Sequence, residues 1–187
     1  MQCHQLQAPV TEAAIAPLRT GDEVLINGTI YVARDAAHQR MAALLAEGKP
    51  LPFDPVGQII YYMGPTPAKP GQVIGAAGPT TAGRVDRFTP ALLAAGIKAT
   101  IGKGYRAPAV RAALVQHKAV YLAAIGGAGA LISRSIQHCE VVAWPDLGAE
   151  ALQRLTVTNF SCFVVNDIDG NDLYEQGQAQ FQHKETQ

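Results

Sequence analysis

Charge is the scarcest commodity in this sequence. Only 16% of its 187 residues are Asp, Glu, Lys or Arg, and 15 basic side chains balance 15 acidic ones. Soluble domains average about 25% charged residues. A net charge of zero excludes the basic excess that marks nucleic-acid and membrane-surface proteins. Cysteine is scarce as well. Cys3, Cys139 and Cys162 are far apart, with no C-x-x-C. That spacing excludes a disulfide framework and a zinc knuckle. It also offers no home to an iron–sulfur cluster, which needs about three or four closely organised thiolates. Cys139 and Cys162 lie in apolar runs and read as buried thiols. No run of about 18 apolar residues occurs, so no membrane-spanning helix is expected. The first ten residues, MQCHQLQAPV, lack a basic stretch followed by an apolar one. The expectation is no secretory leader and a cytoplasmic location.

What is present points to a folded chain. A hydrophobic fraction of 48% is incompatible with disorder. The length fits one domain, residues 1–187, able to bury about 70% of its unfolded surface. The charge deficit suggests that a partner covers part of the surface.

Hydrophobic spacing sets the expected elements. Residues 11–19 read as a short helix capped by Thr11. Glu23–Val32 reads as a strand with a turn or bulge at Asn27-Gly28, and Arg34–Glu47 as a helix stopped by Gly48. Gln58–Met63 and Gln72–Ala76 read as strands, and Gly78–Gly83 as a loop running into a helix that ends at Leu93. Then come strand Ile97–Ile101, helix Pro108–His117, strand Val120–Ile125 and a helix beginning in Gly126–Ser133. Three further strands are expected at Glu140–Trp144, Leu155–Thr158 and Phe163–Val165, and the chain from Glu175 on reads as a frayed or peripheral tail, residues 176–187 above all. Alternation from residue 72 onward predicts α/β with a largely parallel sheet, and the extra strands at both ends predict that the sheet is mixed.

Four segments could carry chemistry. Gly126–Ile132 follows a strand, but Ile132 stands where a dinucleotide fingerprint needs Gly or Ala. A tight turn, or N–H groups that bind an anion, remain. Gly102-Lys103-Gly104 lacks the P-loop spacing. It leaves a lysine at the C-terminal end of a strand, the edge where α/β sheets bind ligands. Gly78-Pro79-Thr80-Thr81-Ala82-Gly83-Arg84 offers two hydroxyls and a guanidinium matched to a carboxylate; its bland reading is a helix cap. In Arg34-Asp35-Ala36-Ala37-His38, the arginine and histidine are four apart and share a helix face; its bland reading is a surface helix start. If Arg34, Arg84 and Lys103 converge, they form a small cationic pocket suited to a compact dianion such as a dicarboxylate.

These same residues carry a family resemblance. Arg34–His38, the stretch Pro52–Asp86, Ile101–Gly104 and NDIDGNDLYE at 166–175 resemble the β subunit of the class I, iron–sulfur-dependent fumarate and tartrate dehydratases. The likeness runs from about residue 11 to 175. It implies a swivelling β/β/α domain with a mixed sheet and flanking helices. It implies a separate α subunit that supplies the cysteines of a [4Fe–4S] cluster, with the catalytic pocket between subunits and no metal ligand on this chain. It implies a hetero-oligomer, a dimer of αβ units among its forms, inactive as the single chain. Thr80 matches the threonine proposed as base, with Arg84 beside it. Arg34 and Lys103 match catalytic cations. His38 and Thr81 are carried as substrate-binding.

The implied reaction is reversible hydration of fumarate to (S)-malate, with the proton donor on the α subunit. Val85 stands where many relatives have methionine, and Tyr105-Arg106 follows G-K-G in an unfamiliar way; Arg106 reads as a further pocket cation or a solvent-facing side chain. The AGPTTAGRVD and NDIDGNDLYE segments look closer to fumarase than to tartrate dehydratase. Tartrate or mesaconate dehydration, and a non-catalytic dicarboxylate-binding module, are the alternatives.

Overall fold

The computed structural model describes residues 1–182. Seven strands form one sheet in the order β1-β2-β3-β4-β5-β7-β6, with a further β2–β7 pairing. The strands are β1 (Cys3–Ala8), β2 (Glu23–Val32), β3 (Ile59–Tyr61), β4 (Ala99–Gly102), β5 (Val120–Ala123), β6 (Ile136–Ala143) and β7 (Leu152–Asn166). β1 to β5 run parallel to their neighbours, while β7 runs antiparallel to β2, β5 and β6. Because β7 pairs with β2 along one edge and with β5 on the other, strands β2, β3, β4, β5 and β7 close into a ring. The mixed α/β sheet expected from the sequence is therefore present, and its antiparallel member is what closes it.

Closure needs β2 and β7 to bend together. The pairing register slips between Ile26 and Gly28, where Gly28 has φ +100°. A Cβ there would lie 2.6 Å from the Ala8 carbonyl oxygen, so glycine is required. Opposite the slip, Asn159 is also left-handed (φ 49°), and its N–H donates to Asn27 Oδ1 at 2.9 Å. The Asn27-Gly28 signal is thus a bulge rather than a turn.

Strand alternation divides the core into two. Ile59, Tyr61 and Met63 pack with Ile30, Val32, Ile101, Leu122, Leu155 and Cys162 inside the ring. The intervening Ile60 and Tyr62 face outward with Tyr121. Helices α2 (Asp35–Ala46), α3 (Thr89–Ala94) and α4 (Pro108–Gln116) cover that outer face through Met41, Leu92, Leu93, Val110 and Leu114. Short helix α1 (Glu12–Ile15) is capped by Thr11 Oγ1, which accepts from Ala14 N–H at 3.3 Å. Helices α5 (Gly129–Ile132) and α6 (Leu173–Phe181) complete the fold. Among the described residues no helix is long and apolar enough to cross a membrane.

Several expected elements differ. Gln72–Ala76 is not a strand; Thr66 Oγ1 accepts from Ala76 N–H at 2.8 Å and holds this stretch as a loop. The helix expected to run on to Leu93 is split into a 3₁₀ turn (Ala82–Val85) and α3, with Pro90 in the first turn of α3. The two strands Leu155–Thr158 and Phe163–Val165 are one strand, β7, bent at Asn159. β1 went unread because its alternation is polar, with only Leu6 and Ala8 buried. Helix α6 runs through the start of the stretch expected as a frayed or peripheral tail: Asp172 Oδ1 accepts from Tyr174 and Glu175 N–H and caps it, and it continues to Phe181 with no buried residue, while residues 183–187 of that stretch lie outside the described residues.

Phe160 is 1% exposed and packs edge-on to Tyr61 at 5.1 Å beside the bend. Phe160→Ala is expected to cost about 3–5 kcal/mol, typical of a truncated core aromatic, read as a lowered midpoint in urea denaturation.

Candidate active site

Since β2, β3, β4 and β5 are mutually parallel, their C-terminal ends share one edge of the ring. Arg34 follows β2, Gly64 follows β3, Lys103 follows β4 and Gly126 follows β5. Into this edge the segment Pro79–Thr81 inserts as an extra rung. Met63 bridges Pro79 in antiparallel fashion, and Thr81 bridges Lys103 in parallel. Thr80 N–H donates to the Tyr62 carbonyl at 2.8 Å, Lys103 N–H to the Thr80 carbonyl at 3.2 Å, and Ala82 N–H to the Lys103 carbonyl at 2.9 Å. Thr80 and Lys103 are therefore fixed side by side by backbone bonds.

The Thr80 hydroxyl also donates to the Tyr62 carbonyl, at 3.1 Å. Its proton points back into the protein and its lone pairs point away from Tyr62. The helix-cap reading of Thr80 and Thr81 fails, since neither side chain caps the 3₁₀ turn that follows.

Arg34 is the N-cap residue of α2, in extended conformation. Its guanidinium lies against Gly64, where a Cβ would collide with it. Arg34 Nη2 is 3.5 Å from Glu150 Oε1, and the other Glu150 oxygen accepts from Ala36 N–H at 3.0 Å, so one carboxylate both pairs Arg34 and satisfies the start of α2. Arg34 Nε is buried and has no hydrogen-bond partner. Arg84 Nε donates to Asp35 Oδ1 at 3.1 Å, which brings Arg84 beside Arg34. Among the described residues Lys103 forms no ion pair, and its side chain extends past Gly126. Arg34, Thr80, Thr81, Arg84 and Lys103 thus gather at one edge, with Glu150 and Asp35 as near counter-ions.

His38 does not join them. It is fully buried, and its Nδ1 lies 2.8 Å from the Arg34 carbonyl, which also accepts the His38 N–H. A carbonyl only accepts, so Nδ1 carries the proton. The ring packs edge-on to Tyr62 at 5.3 Å. Burial pushes its pKa down to about 4 against the Arg34 hydrogen bond that raises it. The expected shared face with Arg34 fails because Arg34 precedes the helix: His38 holds the Arg34 backbone.

Arg106 is neither a pocket cation nor a solvent-facing side chain. Its side chain is 0% exposed and its Nε lies 2.8 Å from Asp86 Oδ1. Nothing in the sequence marked Tyr62 or Asp86, although Asp86 closes the G-R-V-D motif. NDIDGNDLYE starts at the far end of the ring, although its Tyr174 returns to pack on Tyr105 at 4.6 Å, two residues past Lys103. β7 is antiparallel to β5, so Asn166 leaves at the opposite end. Fully buried Asp167 accepts the N–H groups of Asp169 and Asn171, each at 3.1 Å, and shapes the loop into α6.

The cysteines do not fit a cluster. Cys162 is buried with Sγ 3.7 Å from the Val24 carbonyl, Cys139 Sγ is 3.5 Å from Gln153 Oε1, and Cys3 is exposed. Among the described residues no three His, Cys, Asp or Glu side chains group to hold a metal.

The strand-end edge of a parallel α/β sheet is where such folds bind ligands. Residues 2–177 match the model of a family described as Fumarase C-terminus. The chain belongs to that family. It is 37% identical over 175 residues to the class I anaerobic fumarate hydratase of Escherichia coli, covering 91% of this chain and 32% of that one. It is 39% identical over 156 residues to fumarate hydratase 2 of Leishmania major, covering 82% of this chain and 28% of that one. A third relative is about the same size: the putative L(+)-tartrate dehydratase subunit beta of Methanocaldococcus jannaschii, 36% identical over 173 residues and covered to 89% on both sides. The chain spans about a third of the length of the fumarate hydratases it matches.

His38 gives a stability signature. Its pKa of about 4 in the fold lies below the unfolded value of 6.5. The unfolded chain therefore binds the extra proton first, and stability falls as pH drops from about 6.5 toward 4. The full loss is about 3 kcal/mol at about 1.4 kcal/mol per pKa unit. Urea denaturation across this window should show His38→Gln to be less pH-dependent than the parent by that order.

Proposed function

We propose that this chain is the β subunit of a two-component hydro-lyase that interconverts fumarate and (S)-malate, with a [4Fe–4S] cluster held by an α subunit. The observation that carries the reading is the insertion of Thr80 beside Lys103 at an edge that also holds Arg34 and Arg84. The size match to a relative named as a beta subunit supports a separate partner. So do the apolar side chains exposed beside the edge: Tyr105 is 58% and Ile125 58% exposed. A cytoplasmic location goes with this proposal.

The chain's own residues have distinct tasks. The planar forks of Arg34 and Arg84 suit carboxylates, and Lys103 adds a point charge. In the malate-to-fumarate direction a proton leaves the carbon next to a carboxylate, and charge builds on that carboxylate's oxygens. Cations fixed at that end stabilise it. Thr80 Oγ1 takes this proton as the alkoxide, after the hydroxyl that donates to the Tyr62 carbonyl has given up its own proton to water. A threonine is a weak base, so its alkoxide depends on the neighbouring cations.

A second reading, dehydration of tartrate, is favoured by the name of the relative of matching size. Anaerobic co-expression with a cysteine-bearing α chain, followed by assays on fumarate and L-tartrate, decides between them. The fumarate reading expects hydration by the complex and none by the single chain; a complex that turns over only tartrate replaces it. Titration of the isolated chain with malate tests the binding-module alternative, which requires micromolar affinity without a partner. In the active complex Thr80→Ala should lower kcat by ~10²–10⁴; an unchanged kcat would remove Thr80 as the base.

A further inference from the structure

Two separate pieces of chain carry the site. One, residues 79–86, arrives from the long loop after β3 and brings Thr80 and Arg84. The other, residues 102–107, continues β4 and brings Lys103. Backbone bonds between Thr80, Lys103 and Ala82 join them at one end. At the other end, Asp86 Oδ2 accepts from Ala107 N–H at 2.6 Å, while Oδ1 faces Arg106 Nε at 2.8 Å. Arg84 lies between these two attachments.

Arg106 touches the supports of the Thr80–Arg84 segment and of the Lys103 loop from behind. Its Nη1 donates to the Tyr62 hydroxyl at 3.1 Å and to Thr100 Oγ1 at 3.3 Å, and its Nη2 donates to Thr89 Oγ1 at 2.7 Å. Tyr62 is the residue whose carbonyl receives both the N–H and the hydroxyl of Thr80. The guanidinium also lies 4.9 Å from the Tyr121 ring and 5.3 Å from the Tyr62 ring, inside cation–π range. Tyr121 in turn donates its hydroxyl to the Gly104 carbonyl at 3.0 Å, in the loop that carries Lys103. Thr89, the remaining partner, bonds back to the Val85 carbonyl at 3.1 Å, at the end of the Arg84 turn.

We propose that Arg106 is a positioning residue: through Asp86, Tyr62 and Tyr121 it holds the Thr80–Arg84 segment and the Lys103 loop in one fixed relation. The role requires arginine. A buried cation must be paired: Arg106 is paired by the Asp86 carboxylate, which Nε meets as an ion pair without hydrogen-bond geometry, while Nη1 and Nη2 donate to three hydroxyls, a reach only a planar fork has. A lysine keeps the charge and loses the fork. The assignment to catalysis rests on the hydro-lyase reading above; the clamping itself rests on the contacts alone.

Arg106→Met would strand the Asp86 carboxylate and test folding rather than positioning, so the informative variants are Arg106→Lys and Tyr62→Phe. Hydrogen–deuterium exchange on the isolated full chain is the first measurement. Amides in residues 79–86 and 102–107 should exchange at least tenfold faster in Arg106→Lys, with β2 and β7 unchanged. Uniform or unaltered exchange overturns the proposal. The second measurement is steady-state kinetics of the αβ complex. A displaced Thr80 should lower kcat by ~10–100-fold, the scale of a misplacement of about 1 Å, with KM changed less than threefold and a smaller effect of the same kind in Tyr62→Phe. A lower melting temperature with unchanged kcat would make Arg106 a stabiliser only and overturn its positioning role. Should the unmutated complex act on no dicarboxylate, the hydro-lyase reading falls, and the exchange experiment still decides the clamp.

Discussion

The rest of the site depends on one backbone carbonyl. Tyr62 directly follows β3 and presents its oxygen to both the N–H and the hydroxyl of Thr80. Because Tyr62 N–H donates to the Ile101 carbonyl of β4 at 2.8 Å, the position of Thr80 is inherited from the ring rather than from a flexible loop. Lys103 is fixed by the next bond along, and Arg34 emerges from the neighbouring strand against Gly64. A long irregular connection, residues 64–78, thus delivers its reactive residues to a rigid frame.

The ring makes that frame possible. A parallel sheet gathers strand ends at one edge, but an open sheet of short strands twists freely. Here β3, β4 and β5 have only three or four residues each. The 15-residue β7 spans from β2 to β5 and fixes the curvature. The bulge at Gly28 and the kink at Asn159 are where the bend is taken up. Outside the ring, buried Arg106 and His38 support the edge from beneath without reaching it.

Much of this was legible in the sequence. The alternation of Glu23–Val32, the apolar Ile59–Tyr61 and the glycines after β4 marked strands and a ligand edge from local pattern alone. That Arg34 and Lys103 leave the same edge follows from the parallel pairing of β2, β3 and β4, each of the two residues lying just past its strand. What was not legible depended on distant partners. β1 is a polar strand held only by β2, and β7 looked like two strands because its kink at Asn159 interrupts the pattern. The roles of His38 and Arg106 were misread for the same reason. A histidine four residues from an arginine predicts a shared face only if both are helical, and a lone arginine after G-K-G shows nothing of the Asp86 and Tyr62 that enclose it.

Glu150 and Asp35 give the edge a further property. Each already sits on one of its arginines. Arg84 holds Asp35 through Nε alone, and Arg34 meets Glu150 at 3.5 Å, so both guanidiniums keep N–H donors that these acids do not occupy. Their charge is balanced while part of their hydrogen-bonding capacity stays open. Among the described residues Lys103 has no acid beside it, so two arginines and one lysine against two carboxylates leave the edge with the net charge of a single lysine.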